Sequence, residues 1–139
     1  MEQVLIFQIG PEHLAIEAAK IHKISEPMES VRVPSSPDYV LGIVNFRGMV
    51  IPVVDLRKRL GVEPAADQTE TMVVIVEEDN RKMGLVVDRV IGLRQIRPES
   101  IEKHPQLLAT KFDKEFFKGI ARLPEFPVLL LDLKKLLLK

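Results

Sequence analysis

The chain contains two copies of one pattern. Moved forward by 69 positions, residues 4–24 set Val4 on Val73, Ile6 on Ile75, Ala15 on Gly84, Ile16 on Leu85, Lys20 on Arg89 and Ile21 on Val90. Moved forward by 77, residues 39–60 set Tyr39 on Phe116, Gly42 on Gly119, Ile43 on Ile120, Asp55 on Asp132, Leu56 on Leu133, Arg57 on Lys134, Lys58 on Lys135 and Leu60 on Leu137. Neither block needs a gap, and the difference in offset falls in a connector that is longer in the second half (94–115 against 25–38). Such a duplication narrows the fold to two versions of one supersecondary unit packed together.

Within each copy the apolar runs are short and separated by turn residues, which reads as strands. Expected strands cover 4–9, 13–16, 20–24, 39–46 and 49–54 in the first half. In the second they cover 72–76, 83–87, 89–93, 116–123 and 127–131. Residues 25–38, with Pro27, Pro34 and Pro37, read as a loop, and 94–115 as a polar connector with room for a short helix. Asp55 and Asp132 each end an aliphatic run and precede a short helix-like stretch, which predicts two capped helices. The fold class is therefore all-β: two small five-stranded barrels, approximately 1–65 and 70–139, each closed by a helix. A unit of about 60 residues has a marginal core, so the two should share an apolar interface. The offsets show homology and not pairing, and leave open whether strands are exchanged between the units.

Twenty basic and twenty acidic side chains balance to zero net charge. A general nucleic-acid binder needs a positive excess to displace counterions, so that class is disfavoured, as is a basic membrane-surface arm. There is no cysteine, which removes disulfides, zinc ribbons, iron–sulfur clusters and thiol nucleophiles. No stretch reaches the length of a membrane span, so no direct membrane insertion is expected. The opening residues lack a signal-peptide layout, and a cytoplasmic protein is expected.

Little reactive chemistry is visible. His13, His22 and His104 have no metal-ligand spacing and read as structural histidines. Asp55 and Asp132 resemble an acid/base pair, but capping explains both, since each is followed by basic residues in the same setting. Glu77-Glu78-Asp79 and Lys134-Lys135 read as solvated charges. No catalytic, metal or cofactor site is expected. The informative place is where the copies diverge: Asn45-Phe46-Arg47-Gly48 at one hairpin tip stands against Arg122-Leu123-Pro124-Glu125 at the other. A long cation on a tight turn is well placed to meet an acidic partner.

At these residues the run Gly42-Ile43-Val44-Asn45-Phe46-Arg47-Gly48-Met49-Val50-Ile51-Pro52-Val53-Val54-Asp55-Leu56-Arg57 closely resembles the signature of CheW-like chemotaxis coupling domains. The resemblance covers essentially the whole chain, including Leu5-Ile6-Phe7-Gln8-Ile9, Pro34 and Pro37, and Gly84-Leu85-Val86-Val87-Asp88-Arg89-Val90. It implies two SH3-like barrels and no catalysis. It also implies an adaptor that links the regulatory domain of the histidine kinase CheA to the cytoplasmic tips of methyl-accepting receptors, and hence recruitment to receptor arrays. An adaptor of a related non-flagellar pathway is the alternative. By motif match, Arg47 with Phe46 and Gly48, Gly42 and Ile21 are expected to serve partner binding. Lys23 stands where the family commonly has an acid, which reverses any electrostatic contact made there. No receiver domain follows, which points away from the fused variant CheV.

Overall fold

The first apolar run forms β1 (Glu2–Ile9), and its side chains alternate between two cores. Val4 and Ile6 enter one buried cluster, whereas Leu5, Phe7 and Ile9 enter another. Both faces of the strand are covered, which is why its sequence shows a continuous apolar run rather than alternation with polar residues. The computed structural model describes residues 1–62, 71–103 and 114–137. After β1 come β2 (Glu12–Glu17), β3 (Ile21–Ser25), β4 (Val40–Phe46), β5 (Met49–Asp55) and α1 (Leu56–Leu60). The second half contributes β6 (Met72–Glu78), β7 (Arg81–Val87), β8 (Arg89–Ile96), β9 (Ile101–Glu102), β10 (Phe117–Arg122), β11 (Pro127–Leu131) and α2 (Leu133–Leu137).

Two sheets result, with orders β3-β6-β7-β5-β4 and β8-β1-β2-β11-β10-β9. The first sheet uses the middle of the chain and the second uses its two ends, and each sheet draws strands from both copies. We call these the middle and terminal barrels. The hairpin β1–β2 thus pairs with second-copy strands, and the equivalent hairpin β6–β7 pairs with first-copy strands. Registers obey the duplication across this exchange. The parallel pair Val53↔Gly84 matches Leu130↔Ala15, and the antiparallel pair Ile21↔Val76 matches Val90↔Phe7. The chain passes between barrels twice, at the 3-10 turn Ala18–Lys20 and at Asp88 between β7 and β8.

Three apolar clusters follow from this arrangement. Val44, Ile51, Val53, Val73 and Ile75 fill the middle barrel. Their counterparts Ala121, Val128, Leu130, Val4 and Ile6 fill the terminal barrel. The largest cluster joins the barrels and includes Leu5, Phe7, Leu14, Val74, Val76, Leu85, Leu129 and Leu131, together with Leu56, Leu60, Leu133 and Leu136 from the two helices. The shared interface expected for two marginal units is therefore the main core.

Both helices begin as the sequence predicts. Oδ1 of Asp55 accepts from the Lys58 N–H, and Oδ1 of Asp132 accepts from the Lys135 N–H, each at 3.3 Å. The backbone N–H of Asp55 donates to the Tyr39 carbonyl, and that of Asp132 to the Phe116 carbonyl, each at 2.7 Å. Gly61 closes α1 with φ of 78°, the left-handed conformation that releases a helix.

Three expectations need correction. Residues 25–38 are not a plain loop, because Val31 bridges to Ile43 of β4. In the longer connector, β8 runs to Ile96, and after the 3-10 turn Pro98–Ser100 strand β9 pairs with β10. Ile120 faces Glu102 as Ile43 faces Val31, so both connectors return one short segment to the same edge. These segments are too short and polar for period-two patterning to register. Glu78, expected among solvated turn charges, is buried and accepts from Lys20 Nζ at 2.9 Å, because the first passage between barrels packs on this turn. His104 lies outside the described residues.

Candidate partner-binding surfaces

Arg47 occupies the β4–β5 turn, where Phe46 pairs with Met49 and only two residues form the loop. Its φ of 51° and that of Gly48, 80°, are the two positive values that a type I′ turn requires. Oδ1 of Asn45 accepts the Gly48 N–H at 3.0 Å and fixes the turn. The Arg47 guanidinium lies 5.0 Å from the centroid of the Phe46 ring and has no carboxylate partner among the described residues. An exposed cation held by a rigid turn and an aromatic platform suits recognition of an acidic group.

The other expected residues are distributed along two strands. Gly42 lies on β4 at a register shift, and a Cβ there would stand 2.6 Å from the Val31 carbonyl oxygen. Ile21 and Lys23 lie on β3, at the opposite end of the sheet order from β4. Ile21 is half-buried against the inter-barrel core, and Lys23 is exposed. Arg47, Phe46 and Gly48 therefore form one tip, Gly42 supports the strand leading to it, and Ile21 and Lys23 belong to another edge.

Sequence reading leads to an aliphatic barrel-end patch without naming its residues, and an apolar surface lies beside Arg47. Val31 is 70% exposed, Val50 65%, Met49 47% and Leu41 36%. Val31 stands opposite Ile43, Val50 opposite Asn45, and Met49 opposite Phe46. In the terminal barrel two of these positions carry charge already neutralised within the chain, whereas those of Met49 and Val50 are held by Phe126 and Pro127. Arg122, the counterpart of Asn45, pairs with Glu102, the counterpart of Val31, at 3.0 Å. Lys118, the counterpart of Leu41, pairs with Glu17. Arg94 and Glu125 form a further pair at 2.9 Å. These contacts hold Glu102 and Glu125 below the usual carboxylate range, chiefly through the arginine hydrogen bonds.

A model of the CheW-like domain matches residues 3–139. The chain belongs to the CheW-like family. The chemotaxis protein CheW of Klebsiella aerogenes is 29% identical over 98% of this chain and 81% of its own length. A probable CheW of Rhizobium etli is 32% identical over 96% of this chain and 86% of its own. The crystal structure of the scaffolding protein TtCheW from Thermoanaerobacter tengcongensis superposes with a TM-score of 0.86 at 30% identity, covering 95% of this chain and 84% of that one. This CheW-like chain is thus a chemotaxis adaptor with two SH3-like β units.

A second candidate surface lies where the barrels meet. A groove of about 200 Å³ is lined by residues of both copies, among them Tyr39, Val54, Arg59, Met83, Leu136 and Leu137. That volume is below the usual range for small-molecule pockets, so it suits anchor side chains of a protein partner. Among the described residues no group of His, Asp and Glu could hold a metal ion, and no helix is long and apolar enough to cross a membrane.

Proposed function

We propose that this chain couples the regulatory domain of the kinase CheA to the cytoplasmic tips of methyl-accepting chemoreceptors, and that it is recruited to receptor arrays by doing so. The observation that carries this reading is the asymmetry between barrels. The positions of Val31 and Leu41, apolar and exposed beside Arg47, are held on the terminal barrel by Glu102 and Lys118, which are ion-paired. Desolvating Val31, Met49 and Val50 against a partner is favourable, whereas the terminal-barrel pairs are already satisfied. The kinase regulatory domain docks on this β4–β5 face, with Arg47, Phe46 and Gly48 at its tip. Gly42 holds β4 in register behind it. Ile21 and Lys23 form the β3 edge, where the lysine selects a partner bearing an acidic group. The groove between the barrels receives the apolar side chains of a helical receptor tip.

Co-purification of the full chain with the kinase from the same genome, with and without a receptor fragment, tests the assignment. Arg47→Glu and Val50→Glu should each reduce kinase capture at least tenfold and leave the thermal midpoint nearly unchanged. Unchanged capture of both partners by these variants would remove the β4–β5 face from the reading.

A further inference from the structure

Among the described residues that line the groove, Arg59 of α1 is the charged one, and its surroundings are unlike those of the paired arginines. Its guanidinium lies 4.7 Å from the Tyr39 ring centroid and 4.5 Å from that of Phe116. These rings are duplication counterparts, so the cation is sandwiched between equivalent positions of the two copies. Nη2 donates to the carbonyl of Leu136, itself the counterpart of Arg59, at 3.2 Å. Arg57, Arg94 and Arg122 each meet a carboxylate, but among the described residues none pairs with Arg59. The side chain is half-buried, and its neighbours along the groove, Val54, Met83, Leu136 and Leu137, are apolar.

A guanidinium clamped by two aromatic faces is fixed in plane, with most of its five N–H donors not committed to the Leu136 carbonyl. Low polarity around it strengthens any charge–charge contact made there. We propose that Arg59 makes the groove selective for a helix whose apolar stripe carries one carboxylate, the Glu or Asp side chain closing onto the exposed edge of the guanidinium. This rests on the reading of the groove as the site for a helical tip and adds the chemistry by which that tip is chosen. The carboxylate replaces hydration that an apolar ligand would strip from the cation without compensation, so a neutral stripe is penalised.

The test uses the full chain and a coiled-coil fragment of a receptor tip from the same genome, whose acidic residues are replaced singly by their amides. Arg59→Gln should weaken binding of the fragment about ten- to a hundredfold, the range of a charge-assisted hydrogen bond, with Arg59→Lys between it and the parent. One Glu→Gln or Asp→Asn change in the fragment should cause the same loss with the parent chain and no further loss with Arg59→Gln. Kinase-domain affinity should stay unchanged in all of these variants. The proposal is overturned if no acidic position couples to Arg59, or if Arg59→Gln weakens kinase and receptor binding equally, as a lost tie between barrels would. Should Arg59→Gln fail to fold, the fragment series against the parent chain and Arg59→Lys gives the same decision. Met83→Lys separates the two levels: undiminished receptor binding there would remove the groove reading itself.

Discussion

Arg57 and Asp88 form a largely buried ion pair at the point where the chain leaves the middle barrel for the terminal one. Nε of Arg57 donates to Oδ1 at 2.9 Å and Oδ2 at 2.8 Å, and Nη2 lies 2.8 Å from Oδ2. Oδ2 also accepts the backbone N–H of Gly10 at 2.6 Å, so one carboxylate joins α1, the β1–β2 turn and the passage from β7 to β8. The duplication does not repeat this clamp, since Lys134 and Ala19 stand at the equivalent positions. Removing one partner leaves a desolvated charge, and Arg57→Ala or Asp88→Ala should each lower stability by about 3–5 kcal/mol. Urea melts of both single variants and the double should show the double losing clearly less than the sum. Additive losses would mean that the two side chains act separately.

Gly42 and Gly119 should tolerate alanine poorly, for the same reason in each barrel. A Cβ at Gly42 meets the Val31 carbonyl oxygen at 2.6 Å, and one at Gly119 comes closer still to that of Glu102. Backbone on one side and a paired strand on the other leave no room to yield, so each change should cost about 1–3 kcal/mol. Gly92 shares the positive φ of Gly42, 149° against 156°, but has open space at its Cβ position, and it supplies the control for Gly42. Gly92→Ala should cost less than either in thermal denaturation.

The two caps should be equivalent in energy because they are equivalent in geometry. Asp55→Ala and Asp132→Ala each remove an acceptor from a helix of five residues, at about 1 kcal/mol. Asn at either position should recover most of that loss, as read by chemical denaturation. A metal-dependent or catalytic role for the pair predicts no such rescue.

His13 gives the stability a pH dependence. Its ring stacks on Phe126 at 3.7 Å with planes 6° apart, and burial holds its pKa below the ordinary 6.5 against a smaller opposing effect of Glu12. The unfolded chain therefore takes up the proton first as pH falls. This contribution is complete above pH 6.5 and is lost on going below it toward the folded value. His13→Phe keeps the stack and removes the titration, so its melting temperature should fall less than the parent's between pH 7 and pH 5. Parallel curves would place the titration elsewhere.

Local sequence determined the longer strands, the capped helices and the equivalence of the two copies, because turn residues, β-prone runs and an Asp before a basic stretch act within a few neighbours. The Arg47 turn was legible in the same way, as an Asn-Phe-Arg-Gly tip between apolar runs. Which copy each hairpin joins was not legible. β1–β2 and β6–β7 present nearly the same edge and the same register, so their pairing preferences are close to degenerate locally. Only the assembled fold, with one core shared between the barrels and the Arg57–Asp88 clamp at one passage, distinguishes the two arrangements. The exposed strip at Val31 and Val50 and the Arg59 sandwich share that origin. Each depends on residues distant in sequence meeting across strands or barrels, and no periodicity in the chain records such a meeting.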